Sequence, residues 1–509
     1  MRFRFSDCEF DTDRRELRRA GEVVPVEPQV FELLTYLIAN NDRVVSKDEL
    51  LAAVWEGRIV SESAMTTRIN AARRAIGDNG YEQRLIKTVR RRGFRFIAPV
   101  RETDAGHPPR RIAAQPALNK PSLAVLPFRS LARDPVERRF AAGLVEQLTS
   151  LLCKYPWLSV SARRGALDMG GNFLPTHVRY LLDGSVHKSS STVRVAAYLI
   201  DAGSDAHLWA DHFDRAYDET FEAQDDLAEK LVGALAPRLE RFEIERTKYE
   251  PDGELLDARA CSLRGLARLY TWTKEGITEA LRLFQRAIEI DPEFAPAYGL
   301  AAYCYVQRQS YGWFTDRPRE VAEAAQLVRG ATQFGVDDAL TLSKAAHAIT
   351  MIGGDGDSGA ALIDQALLSN PHLAAAWYVS GWVQLHLGKP QSAIEHLAHA
   401  LRLSPFDPLI FKVHAAMSYA HFLEGRYEDG AAFAERALHM RPHYQTALRA
   451  AAASHALAGR FGEAHKFLAR MRQHDPALRL SRLHEVLPLR RRQDFSKYVD
   501  ALQRAGLPE

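Results

Sequence analysis

The sequence predicts a multidomain chain with three parts of different class: an α+β domain over residues 1–100, an α/β domain over 121–248 and an all-α solenoid over 257–480 with a helical cap at 481–509. Three observations predict this. The first hundred residues carry helix-period apolar runs followed by two short strand-like runs, the middle mixes both periods, and beyond residue 257 prolines and glycines recur every 34 residues. At 509 residues the chain is longer than one core fills, so several domains follow from length alone.

Composition narrows the class. With 46% hydrophobic and 26% charged residues this is an ordinary folded chain. No stretch approaches the roughly 20 apolar residues of a membrane span, and "MRFRFSDCEF" lacks the apolar core of a signal peptide, so a cytoplasmic protein without membrane contact is expected. Cys8, Cys153, Cys261 and Cys304 are widely separated, without CxxC or zinc spacing, and read as reduced core residues. The net charge of +3 points to no polyanion by itself, but its distribution is uneven. Between Arg84 and Arg111 stand Arg84, Lys87, Arg90, Arg91, Arg92, Arg95, Arg101, Arg110 and Arg111 against only Glu102 and Asp104. The stretch 101–120, rich in Pro, Gly and Ala, reads as a linker.

In the first domain, Phe31, Leu34, Leu37 and Ile38 recur at helical spacing, "NNDR" breaks the pattern, and Ser46 with Glu49 forms a capping box before Leu50, Leu51, Val54 and Trp55. A third helix over 63–77 puts Met65, Ile69, Ala72 and Ile76 on one face. Its other face is expected to present Thr66, Thr67, Asn70, Arg73 and Arg74. Free of acids, such a face suits base edges and phosphates in a major groove, though a merely solvated face has the same composition. The wing that follows, 86–96, favours the DNA reading. Leu85–Val89 and Phe94–Ile97 read as two strands around a tip of Arg90, Arg91 and Arg92, with Gly93 supplying turn freedom. Arginines at such a tip can enter a minor groove, so their expected counter-charge is DNA phosphate.

These residues carry a resemblance. Through "FRFSDCEFDTDRRELRRAGEVVPVEP", "LLAAVW" and "LIKTVRRRGFRF", residues 1–100 resemble the winged helix-turn-helix output domain of the OmpR/PhoB family. The resemblance implies DNA contacts from Thr66, Arg68, Asn70 and Arg73 in the recognition helix and from Thr88 and Arg90 in the wing. Phe94 stands for the family's usual Tyr and Arg91 for its first wing Gly, and no receiver domain precedes, so control by phosphorelay in cis is not expected.

In the middle, "SLAVLPF" and "LSVSA" read as strands, "FAAGLVEQLTSLLCKY" as an amphipathic helix, "YLLDGSVHKSSSTVRVAAYLIDA" as a hairpin and "AHLWADHFDR" as its continuation. A long helix over "TFEAQDDLAEKLVGALAPRLERFEIER" is expected to be interrupted by Pro237. His187, His207, Asp211, His212 and Asp214 suggest a metal, but they do not complete a ligand set. The region resembles the TolB-N-like domain, which implies a scaffold or sensing module and no particular ligand.

Pro371 to Pro405, Pro442 to Pro476 and Gly425 to Gly459 are each 34 residues, whereas Pro405 to Pro442 is 37. Trp377, Gly381, Gly388, Ala393, Leu397, Ala400 and Pro405 fall where tetratricopeptide repeats place packing residues, and five to six repeats are counted. "QRQSYGWFTDRP" and "MIGGDGDSGA" read as irregular loops. The groove of such a stack is expected to take a protein segment, with RNA polymerase a candidate, or to assemble a homo-oligomer.

The order of domains resembles HilA-like regulators, which implies a transcriptional regulator binding double-stranded DNA. A cyclase-type enzyme fails on inventory, for no segment is left for a nucleotide pocket and metal-binding carboxylates, and no GxxxxGK[ST], GxSxG or HExxH occurs. No enzyme activity and no cofactor are therefore expected. The remaining alternative is a non-catalytic tetratricopeptide scaffold whose winged helix binds protein, a surface with no need of so basic a wing.

Overall fold

The computed structural model describes the chain except residues 1, 7, 13–15, 20–21, 25, 42, 56–61, 79–81, 90–91, 99–100, 103–119, 131–133, 163–177, 190, 217–220, 248–256, 488 and 490. Residues 1–113 and 114–509 form two compact units.

In the first unit the strands β1 (Arg2–Phe5), β2 (Cys8–Asp11), β3 (Glu16–Arg19) and β4 (Glu22–Val24) form an antiparallel meander. Three helices follow, α1 (Pro28–Ala39), α2 (Lys47–Trp55) and α3 (Glu62–Ala75), then the hairpin β5 (Ile86–Val89) and β6 (Gly93–Phe96), and β7 (Arg101–Glu102). Pro28 starts α1 because its missing N–H would be unsatisfied there anyway. The predicted capping box starts α2: the Glu49 amide donates to Ser46 Oγ at 3.1 Å and the Ser46 amide to Glu49 Oε2 at 2.8 Å. Phe10 stacks on Phe31 at 4.4 Å and Phe5 meets Phe96 edge-on at 5.0 Å, so aromatic rings join the meander to α1 and to the hairpin. β7 pairs antiparallel with β1, Phe3 opposite Glu102, so the stretch expected to be linker from residue 101 begins as an edge strand, while 103–119 lies outside the described residues.

The second unit begins with a mixed sheet of β8 (Ser122–Val125), β9 (Arg129–Ser130), β10 (Ser159–Ala162), β11 (Tyr180–Lys188), β12 (Thr192–Asp201) and β13 (Ala206–Ala216), in the order β10-β8-β11-β12-β13 with β9 beside β11. The helices α4 (Pro135–Leu152) and α5 (Phe221–Arg246) pack on it around Leu144, Leu148, Leu182, Val195, Leu227 and Leu231. At the end of α5, buried Glu243 accepts the Tyr180 hydroxyl at 2.6 Å and pairs with Arg179 at 2.7 Å. Cys153 is exposed, contrary to its expected core position, because it caps the C-terminus of α4. Among the metal candidates, His207 meets the Tyr198 ring edge-on at 5.6 Å and Asp214 is held by Arg194 at 2.7 Å. No group of three or more His, Cys, Asp or Glu among the described residues could hold a metal ion.

The expected interruption at Pro237 does not occur, for α5 is helical throughout. Proline removes the N–H that would bond the carbonyl four residues back, and that carbonyl, of Gly233, accepts the Ser404 hydroxyl instead at 2.6 Å. Ser404 belongs to the repeat region, so the defect in the helix is a docking point.

The repeats are six helix pairs among the described residues: α6 (Ala258–Leu269) with α7 (Lys274–Ile290), α8 (Ala295–Ser310) with α9 (Arg317–Phe334), α10 (Ala339–Ala348) with α11 (Gly356–Ser369), α12 (Ala374–His386) with α13 (Pro390–Leu403), α14 (Ile410–Leu423) with α15 (Tyr427–Met440), and α16 (Gln445–Leu457) with α17 (Phe461–His474). The cap contains α18 (Leu483–Val486) and α19 (Arg492–Arg504). Within the clearest pair, a Cβ on Gly381 would lie 2.5 Å from Leu397, so the small residue at that repeat position lets α12 and α13 approach. Neither expected loop is irregular throughout: "MIGGDGDSGA" holds the end of a wide helical turn, Ile349–Gly353, and the start of α11 at Gly356, and "QRQSYGWFTDRP" is helical outside residues 311–316.

Candidate nucleic-acid interface

The recognition helix α3 buries Met65, Ile69 and Ala72, and Ile76 just past its end continues the stripe, each no more than 3% exposed. Its end is set by Gly77, whose φ of +74° only glycine adopts cheaply. The Asp78 amide then reaches the Arg73 carbonyl at 2.8 Å and the Gly77 amide the Arg74 carbonyl at 3.2 Å, the paired bonds of a Schellman terminus. Asp78 links this end to the wing: its buried carboxylate accepts from the amides of Arg84, Leu85 and Ile86 at 2.9, 3.0 and 2.9 Å.

Of the expected contact residues, Thr66, Thr67, Asn70 and Arg74 are exposed on one side of α3. Arg68 is half-buried and ion-paired with Glu27 at the start of α1. Arg73 is not on the exposed face. At 4% exposure its guanidinium donates to the Ile86 carbonyl at 2.8 and 3.1 Å and to Thr88 Oγ1 at 2.8 Å, tying α3 to β5. Burial pulls the Arg73 guanidinium below its ordinary value, partly offset by Asp78. The signal was in the spacing: Arg73 stands four residues after Ile69 and three before Ile76, on the buried stripe despite its charge.

Thr88 is exposed on β5 and Arg92 is exposed at the hairpin tip, while Arg90 and Arg91 lie outside the described residues. Gly93 does more than permit a turn. The amides of Val45 and Phe94 each donate to the other's carbonyl at 2.8 Å, bringing the backbone before α2 so close that a Cβ on Gly93 would lie 1.9 Å from the Val45 oxygen. The wing is thereby fixed to the helix-turn-helix. Lys87 and Arg95 are directly opposite across β5 and β6, both exposed, a pairing that composition alone does not reveal. Like charges so placed repel, and a polyanion would relieve the repulsion.

Residues 21–96 match the family described as transcriptional regulatory protein, C terminal. The N-terminal domain is a transcriptional-regulator DNA-binding domain. Residues 353–408 match a tetratricopeptide repeat, so the chain joins this regulator domain to repeats. It is 24% identical to the transcriptional regulator HilA of Salmonella typhi over 414 residues, 79% of this chain and 71% of HilA. It is also 30% identical to a putative adenylate cyclase 3 of Rhizobium meliloti (strain 1021) over 240 residues, 45% of this chain and 40% of that protein; the chain thus spans less than half of that relative. Among solved structures, the DNA-binding domain of Klebsiella pneumoniae RstA in complex with RstA box is 26% identical and covers 19% of this chain and 96% of that one, with a TM-score of 0.18. Among the described residues no helix is long and apolar enough to cross a membrane.

Arg73 and Arg74, adjacent on α3, differ in what they do for the regulator domain, and salt separates them. Arg74→Ala is expected to lower the slope of log affinity against log salt by about 0.9, as for one lost phosphate contact. Arg73→Ala is expected to cost about 2 kcal/mol of stability through its lost charge-assisted bonds, with that slope unchanged. Titrations of one duplex at four salt concentrations, with melting curves, check both; a reduced slope for Arg73→Ala would move it to the DNA surface.

Proposed function

We propose that the chain is a sequence-specific, DNA-binding transcriptional regulator without enzymatic activity, acting in the cytoplasm. The α3 face of Thr66, Thr67, Asn70 and Arg74 reads the major groove, with Arg68 at its margin. The wing, through Thr88 and Arg92 and the sequence-adjacent Arg90 and Arg91, reaches the minor groove. The observation carrying this is the like-charged Lys87–Arg95 pair in the same domain as an exposed helix face of hydroxyl, amide and guanidinium groups. The repeats take a protein segment or a second copy of the chain, and RNA polymerase is the first partner to test by co-purification.

Genome-wide DNA capture by the purified protein, beside a preparation with Arg90, Arg91 and Arg92 changed to alanine, tests the reading. A common motif recovered only by the unaltered protein is expected, and equal recovery by both would remove the wing from recognition. Asn70→Ala is expected to cost about 1 to 3 kcal/mol at the cognate site and little on random DNA. Unchanged binding to both would place recognition elsewhere than this face.

A further inference from the structure

A cavity of about 260 Å³ lies between α5 of the sheet domain and the first helices of the repeats. Its chemistry is not that of a packing defect. Two lysines line it, Lys344 of α10 and Lys412 of α14, only 8% and 7% exposed. Neither ammonium makes a hydrogen bond or an ion pair with a described residue; what surrounds them is aromatic. Lys344 Nζ lies 4.3 Å from the Tyr303 ring centroid, and Lys412 Nζ lies 5.3, 5.6 and 5.8 Å from those of Tyr378, Tyr303 and Trp272. The buried hydroxyl of Tyr303, which also lines the cavity, has no hydrogen-bond partner among the described residues.

Burying an ammonium without a direct ion-pair partner is expensive, and two in one cavity more so. Two carboxyls share the cavity, Glu240, which accepts the Tyr270 hydroxyl at 3.0 Å, and Asp407, which accepts the Leu409 amide at 2.7 Å; their charges favour both ammoniums, but neither forms an ion pair with either lysine. Burial raises the Glu240 carboxyl from its ordinary value, partly offset by the Tyr270 hydroxyl and by Lys344. Arg241 and Arg441 line the same cavity, so its cationic groups outnumber its carboxyls. Burial pushes Lys344 down to about 7 and Lys412 to about 8, the cost that a bound anion would relieve.

We propose that this cavity binds a small, flat organic anion, its acid group on Lys344 and Lys412 and the Tyr303 hydroxyl, its apolar ring against Tyr303, Tyr378 and Trp272. The size is suitable, since an apolar cavity of about 150 Å³ takes benzene and the remainder leaves room for a carboxylate or phosphate. The proposal stands apart from DNA reading, because every group it uses lies in the second unit.

The test uses the full chain, with benzoate and phenyl phosphate as anionic probes and benzamide as the neutral one of like shape, followed by calorimetry and thermal shift. At least one anion is expected to bind one to one and at least tenfold tighter than benzamide, and whichever it is distinguishes a carboxylate from a phosphate ligand. Lys344→Met and Lys412→Met are each expected to weaken that binding at least tenfold while melting, ligand-free, no lower than the unaltered protein. Anions no tighter than benzamide, or variants that bind as well as the parent, would overturn the proposal. So would ligand-free variants of lower melting temperature, since the lysines would then be structural.

Discussion

Gly93→Ala is expected to cost the regulator domain about 3 kcal/mol, the sum of a side chain forced to a positive φ and a methyl group driven into backbone. The φ at Gly93 is +136°, and the oxygen its Cβ would meet, 1.9 Å away, belongs to Val45, whose backbone bonds to Phe94 fix the wing. That oxygen cannot move without breaking the bonds that place β6 beside the start of α2. Amide hydrogen exchange checks this residue by residue: the Val45 and Phe94 amides are expected to lose protection together, with DNA affinity falling alongside. Retained protection at both would mean that the wing is held by Arg73 and Asp78 alone. The substitution alters no charge, so an affinity loss here measures positioning.

Much of the regulator domain was legible because its determinants are local. The capping box is two side chains three residues apart, and the buried stripe of α3 is a spacing, so neither needs tertiary knowledge. Arg73 was misplaced for a physical reason. Charge argues for solvent, spacing argues for core, and spacing prevails when a carbonyl and a hydroxyl at hydrogen-bond distance satisfy the guanidinium. The Lys87–Arg95 pairing needed the hairpin register, which an unaligned sequence leaves open.

In the second unit the same conflict between charge and spacing marks the cavity. Lys344 in "TLSKAAHA" and Lys412 in "IFKVHAA" sit among apolar and small residues, a setting in which a repeat reading sees core. What it could not supply is that both come from first helices of different repeats and meet aromatic rings from others. The functional signal in a repeat array is therefore the residue that violates the packing pattern, because a buried charge persists there only against its own desolvation cost.

Gly233→Ala is expected to separate the sheet domain from the repeats, at a cost of about 1 to 3 kcal/mol from overpacking. A Cβ at that position would lie 1.8 Å from the Leu403 carbonyl oxygen, so α5 could not stay seated on the end of α13. Ser404→Ala is the control: it removes only the hydroxyl that satisfies the carbonyl freed by Pro237, with an expected cost of about 1 kcal/mol and the seat preserved. Melting followed by tryptophan fluorescence and by far-ultraviolet circular dichroism should give coincident curves for the unaltered protein and for Ser404→Ala, and divergent ones for Gly233→Ala. Because Gly233 and Pro237 also line the cavity, Gly233→Ala should weaken aromatic-anion binding although both lysines remain. Coincident curves with unchanged anion binding would show that this junction yields without opening, and that the sheet and repeat domains are held together by contacts away from Gly233 and Ser404.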